Sequence, residues 1–173
     1  MKGGRAVDKS PSSGRKVYKI SPIGRVRAGG DGYRLEIDAE YRAGLNGLDG
    51  FSHVDVLWWC HRAGGDASRK TLECGKPYRN APATLGVFAT RSPLRPNPIA
   101  VSVAAIIGID RAAGVIRVPY IDAEDGTPIV DLKPYHPSIE RVRNASVPEW
   151  CAHWPKCYED SACFDWDSEI LHG

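Results

Sequence analysis

The chain has 173 residues, of which 42% are hydrophobic and 25% are charged, and its formal net charge at pH 7 is +2. These values are ordinary for a globular domain, and they exclude a strongly polybasic nucleic-acid binder while leaving room for a local basic patch. No stretch approaches the roughly 20 apolar residues that a membrane helix needs. We therefore expect one domain with a substantial core and no membrane partner.

Residues 1–15 are rich in Gly, Ser, Lys and Arg, which is typical of a flexible basic arm. They lack the apolar run of a signal peptide. The five cysteines are odd in number and form no CxxC pair, so we expect reduced thiols in a cytoplasmic protein. Cys151, Cys157 and Cys163 are spaced more widely than the ligand pairs of structural zinc sites, so we expect no metal.

The first third of the chain predicts strands separated by one short helix. Residues 17–26 alternate well enough for a strand with a bend near Pro22, and residues 33–37 alternate apolar and charged side chains. Residues 39–48 have helical spacing. Residues 49–61 carry bulky side chains on both faces, which predicts a central strand covered on both sides.

Two aromatic and two histidine side chains of that central strand are candidates for different roles. Trp58 and Trp59 are best interpreted as core packing, because large aromatic side chains dominate core energetics. His61 ends the strand and is a better site candidate than His53. A hydrogen-bonded structural histidine remains the alternative for His61.

The rest of the chain predicts further short strands at residues 71–74, 84–89, 100–109, 115–121 and 129–132. Ser146 and Glu149 have the spacing of a capping box and predict a short helix. The last fifteen residues form an acidic tail with no predicted core role. The pattern indicates an all-β fold, a small antiparallel β-barrel or sandwich with minor short helices. We divide the chain into the arm, a β domain at 16–145 and a tail at 146–173.

The most informative stretch is GVFATRSPLRPNPIAVSV at residues 86–103. Its three prolines fix φ at their own positions and push the preceding residues away from helix. Arg91 and Arg95 lie in this stiff turn, and a guanidinium can bind a carboxylate or phosphate with two parallel hydrogen bonds. The turn is therefore interpreted as a preorganised ledge that presents two cations. The alternative is that both arginines are solvated or paired with surface carboxylates.

Four motifs in order carry a resemblance to a known family. They are PIGRV at 22–26, GLDGFSHVDVLWWCH at 47–61, the proline–arginine stretch at 86–103 and DAEDGTPIVDLKPYHP at 122–137. Together they resemble the TsaA/TrmO-like family of S-adenosylmethionine-dependent methyltransferases, which act on N6-threonylcarbamoyladenosine beside the tRNA anticodon. The resemblance implies a small antiparallel β-barrel in place of a Rossmann sheet, and a homodimer with the cofactor near the subunit interface.

The resemblance also implies roles for individual residues. The side chains and backbone groups implied to bind the S-adenosylmethionine cofactor are Phe88, Ala89, Arg91, Ser92, Pro98, Ile99, His61, Asp122, Gly126 and Thr127. The residues implied to bind the tRNA substrate are Arg95, Asn97 and Asp131. The implied catalytic residues are Asp125, Lys133 and Tyr135. For the Asp125–Gly126 pair a simple turn is the alternative, because Asp-Gly is a strong turn dipeptide.

Three departures from the family keep other functions open. Ala100 stands where the family usually has glycine, and Arg27 and Ala28 stand where Ser-Pro often follows the opening motif. The extra C-terminal domain that helps the bacterial enzyme grip tRNA is replaced here by the tail at 146–173. The alternatives are therefore a methyltransferase acting on a small molecule or another RNA, and a non-catalytic module that binds S-adenosylmethionine.

Overall fold

A computed structural model describes residues 17–30, 32–63 and 65–171, so the predicted arm at residues 1–15 lies outside the described residues. The described residues form a mostly β structure. Its strands are β1 Gly24–Gly29, β2 Gly32–Ile37, β3 His53–Trp59, β4 Glu73–Gly75, β5 Thr84–Gly86, β6 Ile99–Ala105, β7 Gly108–Asp110, β8 Val115–Val118 and β9 Pro128–Pro134.

The helices are short. Two are α-helical, α1 Pro137–Glu140 and α2 Trp166–Glu169. The others are 3₁₀ turns at Ala39–Leu45, Leu48–Gly50, Ser68–Lys70, Val87–Ala89, Glu149–Cys151 and Glu159–Cys163. No helix within the described ranges is long and apolar enough to cross a membrane.

Seven strands pair in one antiparallel sheet, in the order β6-β3-β9-β1-β2-β8-β7, and β4 and β5 form a separate ribbon. The prediction of an antiparallel, mostly β fold is thus confirmed, and β3 is paired on both sides, as predicted for a central strand. Its register with β6 runs from His53 opposite Ala105 to Trp59 opposite Ile99. Its register with β9 shifts at Leu57/Trp58, a β-bulge beside the cavity described below.

The two edge strands of this sheet are consecutive in the chain. Between β6 and β7, the Ile106 amide donates to the Ser52 carbonyl (2.8 Å) and the Ile107 amide donates to the Arg117 carbonyl (2.9 Å). The first bond continues the pairing of β6 with β3, and the second continues the pairing of β7 with β8. The chain therefore passes from one edge of the sheet to the other within two residues.

The core lies on one face of the sheet and follows the two-residue period of its strands. Its fully buried side chains include Val26, Leu35, Val54, Val56, Ile116, Val118 and Ile129. Each such side chain contributes roughly 1.5–3 kcal/mol by leaving water. Close packing also requires Gly24, where an added Cβ would lie 2.1 Å from the Glu36 carbonyl oxygen.

Several element boundaries differ from the predictions. The first strand begins at Gly24, not at residue 17, and the predicted strand at 84–89 ends at Gly86 and turns into a 3₁₀ helix. The predicted short helix forms as the 3₁₀ helix Glu149–Cys151, but its N-cap is Pro148 and no side chain caps it, so the predicted capping box is not made. After Gly86 the strand gives way to a turn closed by the Thr90 amide and the Val87 carbonyl at 3.2 Å.

None of the described residues among the last fifteen belongs to the hydrophobic core, as expected, but this segment packs against the rest of the domain. Glu169 is 6% exposed, and its backbone carbonyl accepts from the Arg79 amide at 2.9 Å. The Leu171 amide donates to the Pro77 carbonyl at 2.9 Å, and Ile170 forms a β-bridge with Tyr78. The tail therefore packs along residues 77–79. Its packing there involves aromatic side chains, which do not follow the regular aliphatic spacing by which a core strand is recognised in a sequence.

Candidate functional site

A cavity of about 980 Å³ collects the end of β3, the proline–arginine turn, the start of β6 and the segment after β8. This volume is near the upper end of the roughly 300–1,000 Å³ typical of ligand pockets. The cavity has an aromatic lining of Tyr33, Trp58, Tyr78, Phe88, Tyr120, Trp150 and Trp154. Its charged and polar lining residues include Cys60, His61, Arg62, Thr90, Arg91, Ser92, Arg95, Asp122, Glu124 and Thr127. Ala89, Ile99 and Val101 add aliphatic surface.

The proline–arginine turn is held by its own polar side chains. Thr90 is buried, its hydroxyl donates to the Val87 carbonyl at 2.9 Å, and its oxygen accepts from the Ser92 amide at 3.2 Å. The Ser92 hydroxyl in turn accepts from the Leu94 amide at 3.2 Å. With prolines fixing φ between these bonds, the turn is rigid before any ligand binds.

Arg91 and Arg95 are fastened to this turn through backbone carbonyls. Arg95 Nη2 donates to the carbonyls of Val87 (3.2 Å) and Thr90 (3.4 Å), and Arg91 Nη2 donates to the Val101 carbonyl (2.5 Å). Within the described ranges neither guanidinium has a carboxylate within ion-pair distance, so surface pairing of these arginines is not seen there. A guanidinium has five N–H donors, which leaves donors on each for an anionic ligand group.

The acidic side chains of the cavity are Asp122 and Glu124, and they differ in their partners. Glu124 pairs with Arg62 at the rim. Burial raises the pKa of the Cys60 thiol above its usual value, Arg95 opposes this shift and the Asp122 carboxylate adds to it. Burial also raises the pKa of the Tyr120 hydroxyl, again with a contribution from Asp122. Asp122 is therefore the carboxylate whose negative charge helps to raise the pKa of two groups that line the cavity, the Cys60 thiol and the Tyr120 hydroxyl.

His61 and Thr127 meet across the cavity wall. Thr127 is 1% exposed, and its hydroxyl lies 3.4 Å from His61 Nδ1, with the direction of the bond set by the histidine tautomer. The Thr127 carbonyl accepts from the Val26 amide at 2.8 Å, which ties this segment to β1. A polar pair is thus fixed at the end of β3.

The structure brings nine of the sixteen predicted site residues into the cavity lining. They are Phe88, Ala89, Arg91, Ser92, Arg95, Ile99, His61, Asp122 and Thr127. Pro98 and Asn97 lie in the turn but do not line the cavity, and Gly126, with φ +79°, shapes the neighbouring loop. The ligand roles of all of these residues stay predictions.

The other predicted residues are held elsewhere. The Asp125 carboxylate accepts from the Ala28 amide at 3.1 Å and lies 3.5 Å from Arg27. Asp125 and Gly126 also form a turn, in which the Thr127 amide donates to the Glu124 carbonyl at 3.1 Å. Lys133 donates to Asp131 at 2.6 Å, and the ring of Tyr135 lies beside that of His53 at 6.1 Å. Asp125, Asp131, Lys133 and Tyr135 do not line the cavity, and their roles also stay predictions.

Sequence reasoning missed most of the aromatic lining. Tyr33, Trp58, Tyr78, Tyr120, Trp150 and Trp154 all line the cavity. The four-residue spacing of Trp150 and Trp154 is visible in the sequence, but that spacing is also the ordinary periodicity of a short helix and does not by itself indicate a site. Their partner Tyr78 is about 70 residues away in sequence, and no local pattern links it to them. In the described part of the chain, no group of three or more His, Cys, Asp or Glu side chains is placed to hold a metal ion.

Comparison with known proteins agrees with the four motifs. The sequence profile described as the tRNA-methyltransferase O N-terminal domain matches residues 21–141. A probable S-adenosyl-L-methionine-binding protein of Archaeoglobus fulgidus is 42% identical over 113 residues, which cover 65% of this chain and 29% of that protein. The tRNA (adenine(37)-N6)-methyltransferase of Escherichia coli is 36% identical over 105 residues, which cover 60% of this chain and 44% of that protein.

The fold agrees as well. The crystal structure of TrmO from Pseudomonas aeruginosa superposes with a TM-score of 0.58 at 31% sequence identity, covering 76% of this chain and 62% of that chain. The chain therefore spans less than two thirds of the length of each of these three relatives. The match to the profile covers more than half of this chain and includes the whole proline–arginine turn. The chain belongs to the family of the tRNA-methyltransferase O N-terminal domain.

Proposed function

We propose that this protein is an S-adenosylmethionine-dependent methyltransferase that methylates N6 of threonylcarbamoyladenosine beside the anticodon of tRNA. The observation that carries the proposal is the cavity, most of whose lining lies in the matched domain. Two guanidinium groups on a rigid turn line it together with the Asp122 carboxylate, which forms no ion pair with any described residue. The names of two relatives indicate the chemistry: one is a probable S-adenosyl-L-methionine-binding protein, and the other is a tRNA (adenine(37)-N6)-methyltransferase.

The side chains of the cavity fit the charges of this cofactor. Its methionine part carries a carboxylate, which matches the guanidinium of Arg91, and its sulfonium carries a positive charge, which matches the carboxylate of Asp122. Phe88, Ala89 and Ile99 provide apolar surface for the adenine part. Arg95 is left for an acidic group of the acceptor, either a phosphate or the carboxylate of the threonyl group.

When bound, the cofactor supplies an electrophilic methyl group on a sulfonium. The acceptor nitrogen would form the new bond to that carbon and lose its proton, and the cofactor would leave as the neutral thioether S-adenosylhomocysteine. The protein's own contribution is position, because an in-line displacement depends on holding the two reactants at attack distance. The rigid turn serves this purpose. Asp122 is the carboxylate of the cavity that we assign to accept the proton, in preference to Asp125, which is already paired with Arg27.

We also infer that the sheet is closed into the barrel that the resemblance implies. This inference is supported by the bonds of Ile106 and Ile107, which join the two edge strands to β3 and β8 through one continuous segment. We infer a homodimer as well, because Phe88 and Val101 line the cavity and remain 78% and 42% exposed, which offers an apolar rim to a second copy. A cytoplasmic location follows from the tRNA acceptor.

The proposed function is tested by incubating the protein with S-adenosylmethionine and tRNA that carries N6-threonylcarbamoyladenosine, followed by mass spectrometry of the nucleosides. The expected product is the nucleoside heavier by one methyl group at N6. Cofactor binding without this product would overturn the tRNA assignment in favour of another acceptor or a non-catalytic binding module. The absence of any cofactor binding in calorimetry would overturn the methyltransferase assignment altogether.

A further inference from the structure

We propose that Tyr78, Trp150 and Trp154 form an aromatic wall that binds the base of the methyl acceptor by ring stacking. The proposal rests on the proposed function, since it names the part of the cavity that receives the acceptor. All three rings line the cavity and are partly exposed to it. Every base has a flat π-face, so aromatic side chains can bind a base without reading its hydrogen-bonding edges.

The geometry of the aromatic wall is ordered. The ring of Trp150 is stacked on that of Tyr78, with 5.4 Å between centroids and 11° between planes. Trp154 meets both edge-on, at 5.0 Å from Tyr78 and 5.5 Å from Trp150. These are the separations and angles that aromatic pairs prefer. The three rings therefore support one another and present a fixed surface.

Hydrogen bonds from residues of the tail hold this aromatic surface in place. Trp154 Nε1 donates to the buried Glu169 carboxylate at 3.2 Å, and His153 Nε2 lies 3.1 Å from the other oxygen of the same carboxylate. Arg79 Nε donates to the Ser168 carbonyl at 2.7 Å, which joins the tail to the residue after Tyr78. Because the rings are already ordered, a ligand that stacks on them pays little of the entropy cost of ordering side chains.

The position of the aromatic wall favours the acceptor over the cofactor. Trp150 and Trp154 lie beyond residues 21–141, whereas the charged lining residues Arg91, Arg95 and Asp122 lie within them. Arg91 and Asp122 match charges of the cofactor, and the aromatic wall carries no charge to compete for it. A cavity of about 980 Å³ has room beside the cofactor for one further planar ring system.

The alternative is that the three rings are only a small core for the tail, and four variants of the full chain separate the two. Trp150→Ala removes the stacking ring, Trp150→Leu keeps apolar bulk without a flat face, and Trp150→Phe restores a flat face. Trp166→Phe is the matched control, because Trp166 packs on Trp154 at 5.3 Å but does not line the cavity.

Three quantities are measured for each variant: the Kd for S-adenosylhomocysteine by calorimetry, and the KM and kcat for tRNA carrying N6-threonylcarbamoyladenosine. We expect Trp150→Ala and Trp150→Leu to raise the KM for tRNA by about tenfold or more, with the cofactor Kd within about twofold of wild type. Trp150→Phe and Trp166→Phe should stay near wild type. An unchanged KM in Trp150→Leu, or an equal loss of cofactor affinity, would overturn the proposal.

The two proposals fail in different ways. If the wild-type protein does not methylate tRNA, the proposed function fails, and the aromatic wall is then tested by calorimetry with free N6-threonylcarbamoyladenosine in the presence of S-adenosylhomocysteine. Binding that Trp150→Leu weakens at least tenfold and Trp150→Phe keeps would support the aromatic wall on its own. No binding, or equal binding by all variants, would overturn it.

Discussion

The proline–arginine turn and the C-terminal segment both line the cavity, yet they are held in place by different forces. The turn at 87–99 is ordered by prolines and by hydrogen bonds from Thr90, Ser92 and Arg95, all within one short stretch. The segment at 148–171 is ordered by aromatic packing and by bonds to the distant residues 77–79. The turn contributes charge and the segment contributes flat apolar surface, so each can be altered with the other left intact.

The largest effect is expected on the charged side of the cavity. Asp122→Asn removes the carboxylate assigned to accept the N6 proton, and we expect kcat for tRNA methylation to fall by about 10²–10⁴-fold, the usual range for loss of a general base. The measurement is single-turnover methyl transfer at saturating cofactor. Glu124→Gln is the matched control, because Glu124 is already paired with Arg62. This variant should lower the rate of methyl transfer less than about tenfold. A rate for Asp122→Asn equal to that of Glu124→Gln would remove Asp122 from the mechanism.

The two regions also differ in how far sequence could predict them. The turn is local, so its prolines and arginines indicated both a stiff shape and a charged surface, and the alternating apolar residues of β2 and the bulk of β3 indicated strands in one sheet. The aromatic wall depends on Tyr78 meeting Trp150 and Trp154 across a long separation in sequence. The burial of Glu169 likewise depends on its tertiary partners Trp154 and His153, so the sequence of the tail gives no sign of it.

The carboxylates show the same distinction at closer range. Asp122 and Asp125 are three residues apart in one acidic stretch, and residue type gives no reason to choose between them. Only the fold shows that Asp125 faces Arg27 and Ala28 of β1, while Asp122 lines the cavity.

A smaller effect is expected from the cation that holds the turn. Arg95→Met removes a charge and two hydrogen bonds to the carbonyls of Val87 and Thr90, so we expect the Kd for S-adenosylhomocysteine to rise by about 10- to 100-fold. Arg95→Lys keeps the positive charge but loses the paired donors of the guanidinium, so its Kd should lie between those of wild type and Arg95→Met. The control is Arg25→Met, because Arg25 pairs with Asp38 and does not line the cavity. Calorimetry that finds the three variants alike would show that the turn does not depend on Arg95.

The smallest effect is expected in the C-terminal segment and depends on pH. Burial disfavours the Glu169 carboxylate, but hydrogen bonds from Trp154 and His153, with the charge of Arg79, outweigh it and hold the pKa of Glu169 below its ordinary value. Because the pKa of Glu169 is lower in the folded state than in the unfolded state, its ionised carboxylate stabilises the fold at pH values above its ordinary pKa of about 4.3. This stabilisation is lost as the pH falls from about 4.3 through the pKa of the folded state.

Thermal unfolding of wild type and Glu169→Gln between pH 7 and pH 3 measures this contribution. Wild type should have the higher Tm at pH 7, and the difference should shrink below about pH 4.3. Asp160→Asn, a change at an exposed position of the same segment, is the control and should leave the Tm near that of wild type. A difference between wild type and Glu169→Gln that is the same at every pH would show that the Glu169 charge does not hold the segment.

The most direct test of this division of the cavity is a crystal structure of the protein with S-adenosylhomocysteine. The charged turn and the aromatic wall predict that the ligand's carboxylate lies within hydrogen-bond distance of Arg91 and that its sulfur lies on the side of Asp122, with the face of Trp150 left open beside it. A ligand whose adenine is stacked on Trp150, with Arg91 away from its carboxylate and Asp122 away from its sulfur, would contradict the account.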